Sequence, residues 1–310
     1  MGSEMCIRDR RVVPQDCKPF YDKEAFMICV TGGTGLIGGE VLRLLSQQGA
    51  TALALARNLK KSRQLKGITW VLGDLARPET LPKAFEGVQR LFLVSSIGED
   101  TVALQHNAIV AARAARIPHI VKLSAFGASD HSKAPICLWH YQLEKEIQDS
   151  GIGWTMLRPH HFMQNLLAQA EYVIKGGAVY SASGDGKIPW VDARDIAAVA
   201  AVTLAKPGHH GKKYIITGSE AISYRQAAEI IGRTIGKQLH FVDESPEEAR
   251  ARRRREGYPP AIIESALAIA AYQRAGGKTV TIASTVADLT GRPPLTVAEF
   301  VREHASMFAG

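Results

Sequence analysis

The sequence predicts an α/β fold built on a parallel sheet, and three features of the chain carry that prediction. Short apolar runs alternate with stretches of helical spacing from Phe26 to beyond Leu157. The runs are apolar at successive positions, as in strands covered on both faces. Glycines stand between the first run and the first helix, at 32, 35 and 38. Strand–helix alternation of this kind closes into a sheet with helices on both faces and right-handed crossovers. The expected architecture is a Rossmann-type doubly wound parallel sheet with a smaller, mainly helical C-terminal lobe on the substrate side.

The elements follow in order. Phe26–Thr31 is a β-rich apolar run ending in glycine, and Leu36–Gln48 has helical spacing with Gly49 as its stop. Further strands are expected at Ala52–Ala56, Thr69–Leu72, Arg90–Val94, Ile120–Leu123 and Thr155–Leu157. Helices lie between them, clearest at Thr101–Arg116 and Trp139–Ser150. Past Pro159 the order loosens: strands are expected at Ile188–Val191 and Tyr214–Thr217, around a helix at Asp195–Leu204. Helices then dominate, at Tyr224–Ile235, Pro246–Glu256, Pro260–Ala275 and Leu295–Phe308. The nucleotide-binding unit is thus residues 27–160 with about 188–217, and the lobe is 161–187 with 218–310. Residues 1–26 carry alternating charge and no period, and are expected to be a leader outside the fold.

Composition narrows the class. The chain has 310 residues, 46% apolar and 22% charged, which excludes disordered, collagenous and coiled-coil classes. The longest apolar stretch, Ile196–Ala205, is about half the ~20 residues a bilayer crossing needs, and the first 26 residues lack the apolar core of a signal peptide. Cys6, Cys17, Cys29 and Cys137 show no metal-ligand spacing, so reduced thiols, a cytoplasmic location and no metal are expected. The net charge of +8 suits an anionic ligand. Nucleic acid is not the expected partner, and a homodimer is compatible with the sequence without being fixed by it.

Thr31-Gly32-Gly33-Thr34-Gly35-Leu36-Ile37-Gly38 carries the clearest chemistry. Gly32 permits a tight turn, Gly35 lets backbone approach a pyrophosphate, and Gly38 lets the helix pack close to the strand. The helix start offers unpaired N–H groups and a positive dipole end to the diphosphate. A dinucleotide cofactor follows. About 20 positions on, where an acidic residue would hold the ribose of NAD, stand Arg57 and Asn58, then Lys60 and Lys61. A guanidinium grips a 2′-phosphate that a carboxylate would repel, so NADP(H) is expected over NAD(H), without flavin. Asp74 and Leu75 follow the third strand and face the adenine. Ser95 and Ser96, after the fourth, face the pyrophosphate and nicotinamide ribose, because ligands sit outside the carboxyl ends of the strands.

Beside the glycine turn, VLGDL, His140–Leu167 (HYQLEKEIQDSGIGWTMLRPHHFMQNLL), Val191–Ala197 (VDARDIA) and Leu289–Ala305 (LTGRPPLTVAEFVREHA) resemble the NmrA-like group of atypical short-chain dehydrogenases/reductases. The likeness runs from about residue 27 to the end. It implies either a reductase, as in bacterial NAD(P)H-dependent quinone, azo-dye and triphenylmethane-dye reductases, or a non-catalytic NADP(H)-binding redox-sensing regulator. Typical short-chain dehydrogenases use Tyr-x-x-x-Lys on one helix face, a spelling that Tyr141 and Lys145 match. In the NmrA-like register, however, His140 stands in the lysine's place and Ile136 in the tyrosine's, one residue or 100° around the helix. Three residues are therefore catalytic candidates: His140, which suits a contact to ribose or substrate, and the pair Tyr141 and Lys145, which would make a carbonyl reductase. Lys122 and Ser124, ending the fifth strand, point at the cleft, with Ser124 resembling the short-chain dehydrogenase serine.

Pro159, Phe162 and Asn165, after the sixth strand, are expected to line the cleft, Phe162 and Asn165 against substrate. Adjacent His160 and His161 point apart and make a poor metal pair. The main expectation is hydride transfer from NADPH to a quinone-like or conjugated aromatic acceptor, which spreads the incoming charge and asks little of a protein acid. The basic run Arg250–Arg255 is expected to be a solvated helix face paired with Glu247 and Glu248.

Overall fold

The computed structural model describes residues 26–310; the expected leader lies outside them but for Phe26, whose ring packs on the core with the Arg90 guanidinium 3.7 Å away. Seven parallel strands make the main sheet: β1 (Ile28–Val30), β2 (Ala52–Ala56), β3 (Ile68–Leu72), β4 (Arg90–Leu93), β5 (His119–Leu123), β6 (Gly153–Pro159) and, after a short β7 (Ala178–Ser181), β8 (Lys212–Ile216). Their order is β3-β2-β1-β4-β5-β6-β8, so the winding reverses between β1 and β4. β7 pairs with β9 (His240–Asp243) in a separate two-stranded sheet.

The helices are α1 (Leu36–Gln47), α2 (Leu81–Ala84), α3 (Thr101–Ala114), α4 (Pro135–Asp149), α5 (Ala170–Gly176) and α6 (Ala193–Ala205). Then come α7 (Tyr224–Ile235), α8 (Pro246–Arg255), α9 (Pro260–Ala275), α10 (Thr285–Thr290), α11 (Val297–Glu303) and α12 (Ala305–Ala309).

The strands bury both faces by simple alternation. Ile28, Val30, Phe92, Val121 and Leu157 join one core with α1 and α6. Cys29, Leu91, Leu93, Ile120 and Met156 join the other with α2, α3 and α4. A third apolar cluster sits apart from the sheet, where Met163, Leu166, Trp190, Ile231 and Phe300 bring together α7, α11, α12 and the β6–α6 connection. α9 links these bodies: it packs on α8 and on α4, where Ser265 Oγ accepts from the Ile136 N–H at 3.1 Å.

Two expectations are corrected, and one pair of strands was not expected. Ile188–Val191 is not a strand, because its residues divide between two partners: Ile188 bridges Ile222, and Val191 bridges Phe162. β7 and β9 escaped notice, being four-residue strands next to helices of stronger pattern. Leu295–Phe308 is two helices; at His304 the backbone turns out of the helix and Nδ1 binds the Phe300 carbonyl at 2.8 Å.

Thr31 fixes the two strand ends at the reversal point. Its buried hydroxyl lies 3.1 Å from the Phe92 carbonyl and 2.7 Å from that of Val94, and accepts from the Val94 N–H at 2.8 Å. These bonds tie the end of β1 to the end of β4. Thr31→Val keeps the shape and leaves the part-buried Val94 N–H without its partner, so unfolding free energy should fall by about 1–3 kcal/mol. Denaturant unfolding checks this; an unchanged midpoint would show that the tie contributes nothing.

Candidate functional site

A single cleft of about 1390 Å³ runs along the carboxyl ends of the main strands. Gly32 and Thr34–Gly38 after β1, Arg57 after β2, Asp74 and Leu75 after β3, Ser95 and Ser96 after β4, Ser124 after β5 and Pro159–Phe162 at β6 all line it. This is the crevice where doubly wound sheets hold ligands.

At one end stands the glycine turn. Gly32 has φ +60°, and a Cβ on Gly38 would come within 2.3 Å of the Gly32 carbonyl oxygen, so α1 packs directly on the turn. Gly35 caps α1 without a side-chain bond, and the first turn holds no acidic residue. Its N–H groups have no intrahelical acceptor and face the cleft with a positive dipole end. The exposed Arg57 closes this end with no carboxylate paired to it among the described residues. A diphosphate with a further phosphate on its ribose fits these donors.

Several expected residues do not line the cleft. Thr31 is occupied with the β4 tie, and a Cβ on Gly33 would meet Leu42 and Trp70 within the core. Asn58 caps the turn Leu59–Lys61 by accepting from the Lys60 N–H at 2.9 Å. On the outer side of α4, the Tyr141 hydroxyl donates to Asp130 at 3.4 Å and Lys145 pairs with Asp149 at 3.3 Å. The face that α4 turns to the cleft is Ile136, Cys137 and His140.

Beneath the cleft floor lies a chain of buried polar groups. Lys122 is fully buried, and its ammonium donates to Gln105 Oε1 at 2.8 Å, to the Leu123 carbonyl at 3.0 Å and to His140 Nδ1 at 3.1 Å. Three acceptors match its three protons. Gln105, unremarked in the sequence, passes the chain on by donating to Ser95 Oγ at 3.0 Å. Because Nδ1 accepts, the neutral His140 carries its proton on Nε2. Burial, with the Lys122 charge beside it, holds His140 well below its ordinary value. Burial likewise pushes Lys122 down to about 7, against the pull of Glu144.

Glu144, one turn beyond His140, anchors the next strand. It takes both arms of Arg158 at 2.8 and 2.5 Å and accepts from the Ser124 hydroxyl at 2.6 Å. Ser124 reaches the cleft, while Lys122 acts only through His140 and Gln105.

The other end of the cleft is largely apolar and aromatic. Phe162 and Asn165 line it with Phe126, Tyr258 and the α9 face from Ile262 to Gln273. His160 packs on Phe126 at a tilt of 35° with ring centres 4.5 Å apart, and His161 meets Trp190 edge-on at 4.8 Å. Sequence reasoning missed the α9 face because both sides of that helix are partly covered, which blurs its period. Among the described residues no group of His, Cys, Asp and Glu is arranged to hold a metal, and no helix is long and apolar enough to cross a membrane.

The profile of the NmrA-like family matches residues 24–300. The chain belongs to the NmrA-like family. It is similar to an NAD(P)H azoreductase of Xenophilus azovorans, 37% identical over 91% of this chain and 99% of that one. Among solved structures it resembles the NADPH-dependent quinone oxidoreductase QOR2 of Escherichia coli in complex with NADPH, with TM-score 0.81 and 31% identity over 90% of this chain and 99% of that one. A triphenylmethane reductase of Citrobacter sp. aligns with TM-score 0.80 and 26% identity over 91% of this chain and 100% of that one.

Lys122 makes a pH prediction. Its folded value near 7 lies below the ordinary 10.5, so between the two the unfolded chain binds more protons and the native state gains stability as pH rises. The stability of the wild type relative to Lys122→Met should therefore climb from pH 7 to 10, as read by denaturant unfolding. A flat difference would contradict the account.

Proposed function

We propose that this NmrA-like protein is an NADPH-dependent reductase that acts on a small quinone-like or conjugated aromatic acceptor. One observation carries the reading: a phosphate-binding turn and an apolar, aromatic-lined chamber are two ends of one continuous cleft. The names of the azoreductase and quinone-oxidoreductase relatives support it. Free buried thiols at Cys29 and Cys137 suit a cytoplasmic location.

Each part of the chain has a share in the chemistry. The N–H groups of Leu36 and Ile37 receive the cofactor's pyrophosphate and Arg57 its 2′-phosphate, which sets NADPH above NADH. NADPH, when bound, supplies the hydride. Asp74 and Leu75 border the adenine, and Ser95, Ser96 and Ser124 border the nicotinamide ribose. Pro159, Phe162 and Asn165 hold a flat acceptor face to face with the reactive ring, the alignment that hydride transfer demands. His140 presents Nε2–H to ribose or acceptor, its tautomer held by Lys122. The outward positions of Tyr141 and Lys145 favour no part for them in proton delivery.

Arg57→Asp should weaken NADPH at least about 10-fold, the lower end of a charge-assisted hydrogen bond, and leave NADH nearly unchanged. Calorimetry decides this, and equal losses for both cofactors would remove the 2′-phosphate assignment. Steady-state NADPH oxidation against quinones, azo dyes and aldehydes tests the reaction. Turnover is expected on quinones, with Tyr141→Phe within a few-fold of wild type. Turnover on aldehydes alone, or a loss of ~10² or more in Tyr141→Phe, would restore the carbonyl-reductase mechanism; tight binding without consumption would mark a sensor.

A further inference from the structure

The arginines of α8 divide according to their neighbours. Arg250 forks onto Glu264 of α9 at 2.8 and 3.1 Å. The buried Arg252 is gripped by Glu244 at 2.7 Å through two nitrogens and by Glu256 at 2.8 Å. Glu247 takes neither, and Glu248 caps the helix with Ser245, so the face is not the solvated ladder expected from sequence.

Arg253 differs from both. It is half-buried, lines the cleft at its acceptor end beside Tyr224 and Tyr258, and has no ion pair among the described residues. Its guanidinium lies 5.8 Å from the Tyr258 ring centre. The titratable groups next to it carry no balancing charge at neutral pH. Burial, with His160 and Arg253 adding to it, pushes His161 down to about 3, and burial pushes the Tyr224 hydroxyl up to about 12 against the pull of Arg253 and Arg252. The lining carboxylates do not help: Glu256 is taken by Arg252, while Asp74 and Asp100 follow β3 and β4 at the cofactor end. A partly desolvated cation without a counter-charge is a cost that a bound anion removes. Tyr224, whose hydroxyl lies 3.1 Å from His161 Nε2, lines the same space and brings a second polar group to it.

We propose that the acceptor taken by this cleft is anionic: a flat conjugated body bearing a carboxylate, sulfonate or phosphate, with Arg253 and the Tyr224 hydroxyl receiving that group. The proposal rests on the reductase reading for the reaction, but not for the binding.

The test compares a naphthoquinone sulfonate with the parent naphthoquinone, using the full-length wild type, Arg253→Gln and Arg253→Lys, each first shown to melt normally. The KM ratio of sulfonated to parent quinone should rise about 10- to 100-fold in Arg253→Gln and stay near wild type in Arg253→Lys. Added salt should erode the wild-type preference. Equal changes for both quinones, or none, would overturn the proposal. Calorimetry of a non-reducible naphthalene sulfonate on the NADP+-loaded protein separates the two readings. If neither quinone is turned over, the reductase reading fails, yet sulfonate binding abolished in Arg253→Gln still establishes the anion site. Absence of sulfonate binding, or binding indifferent to that substitution, rejects it.

Discussion

The contact of α1 with the turn that follows β1 is the constraint on which the rest of the site depends. With no side chain at residue 38, the helix backbone rests against the Gly32 carbonyl, and a methyl group there would sit at 2.3 Å. That approach aims the unpaired N–H groups of the first turn at the crevice between β1 and β4. Thr31 sets the crevice's width from the same turn, by tying both strand ends together. In the proposed reading, anion affinity at this end of the cleft comes from backbone geometry, and Arg57 adds the selectivity.

The floor of the cleft follows a different logic. Lys122, His140, Gln105 and Ser95 form one directed series of hydrogen bonds, and Glu144, Arg158 and Ser124 form a second beside it. Buried groups of this kind are tolerated only when every donor and acceptor is matched. Matching them fixes the rotation of α4, because His140 and Glu144, one turn apart, are both held from the sheet below. That rotation puts Ile136 and His140 in the cleft and leaves Tyr141 outside. A one-residue change of register separates this site from a tyrosine-based one.

Much of this was legible in the sequence, for physical reasons that differ by element. The central strands were found because burial on both faces makes them continuously apolar, and α1 because its glycines and stop signal bracket it. Arg57 was expected at the cleft, which it lines, because its place in the topology carries meaning by itself. Lys122 was assigned to the right strand and the wrong surface: alternation along β5 gives the face, but not whether the long side chain ends in the cleft or beneath it. Gln105 gave no signal, since one amide on an alanine-rich helix looks like any other. Arg253 was hidden among identical neighbours, and Glu244, which buries Arg252, lies too far along the chain for helical spacing to find. β7 and β9 are too short to outweigh the helical patterns around them.

A crystal structure of the protein grown with NADP+ tests the central claim most directly. Pyrophosphate oxygens are expected about 3 Å from the Leu36 and Ile37 N–H groups, with the 2′-phosphate against Arg57 and the nicotinamide directed along the cleft toward Phe162. Pyrophosphate bound anywhere else, or no binding at millimolar cofactor, would contradict it.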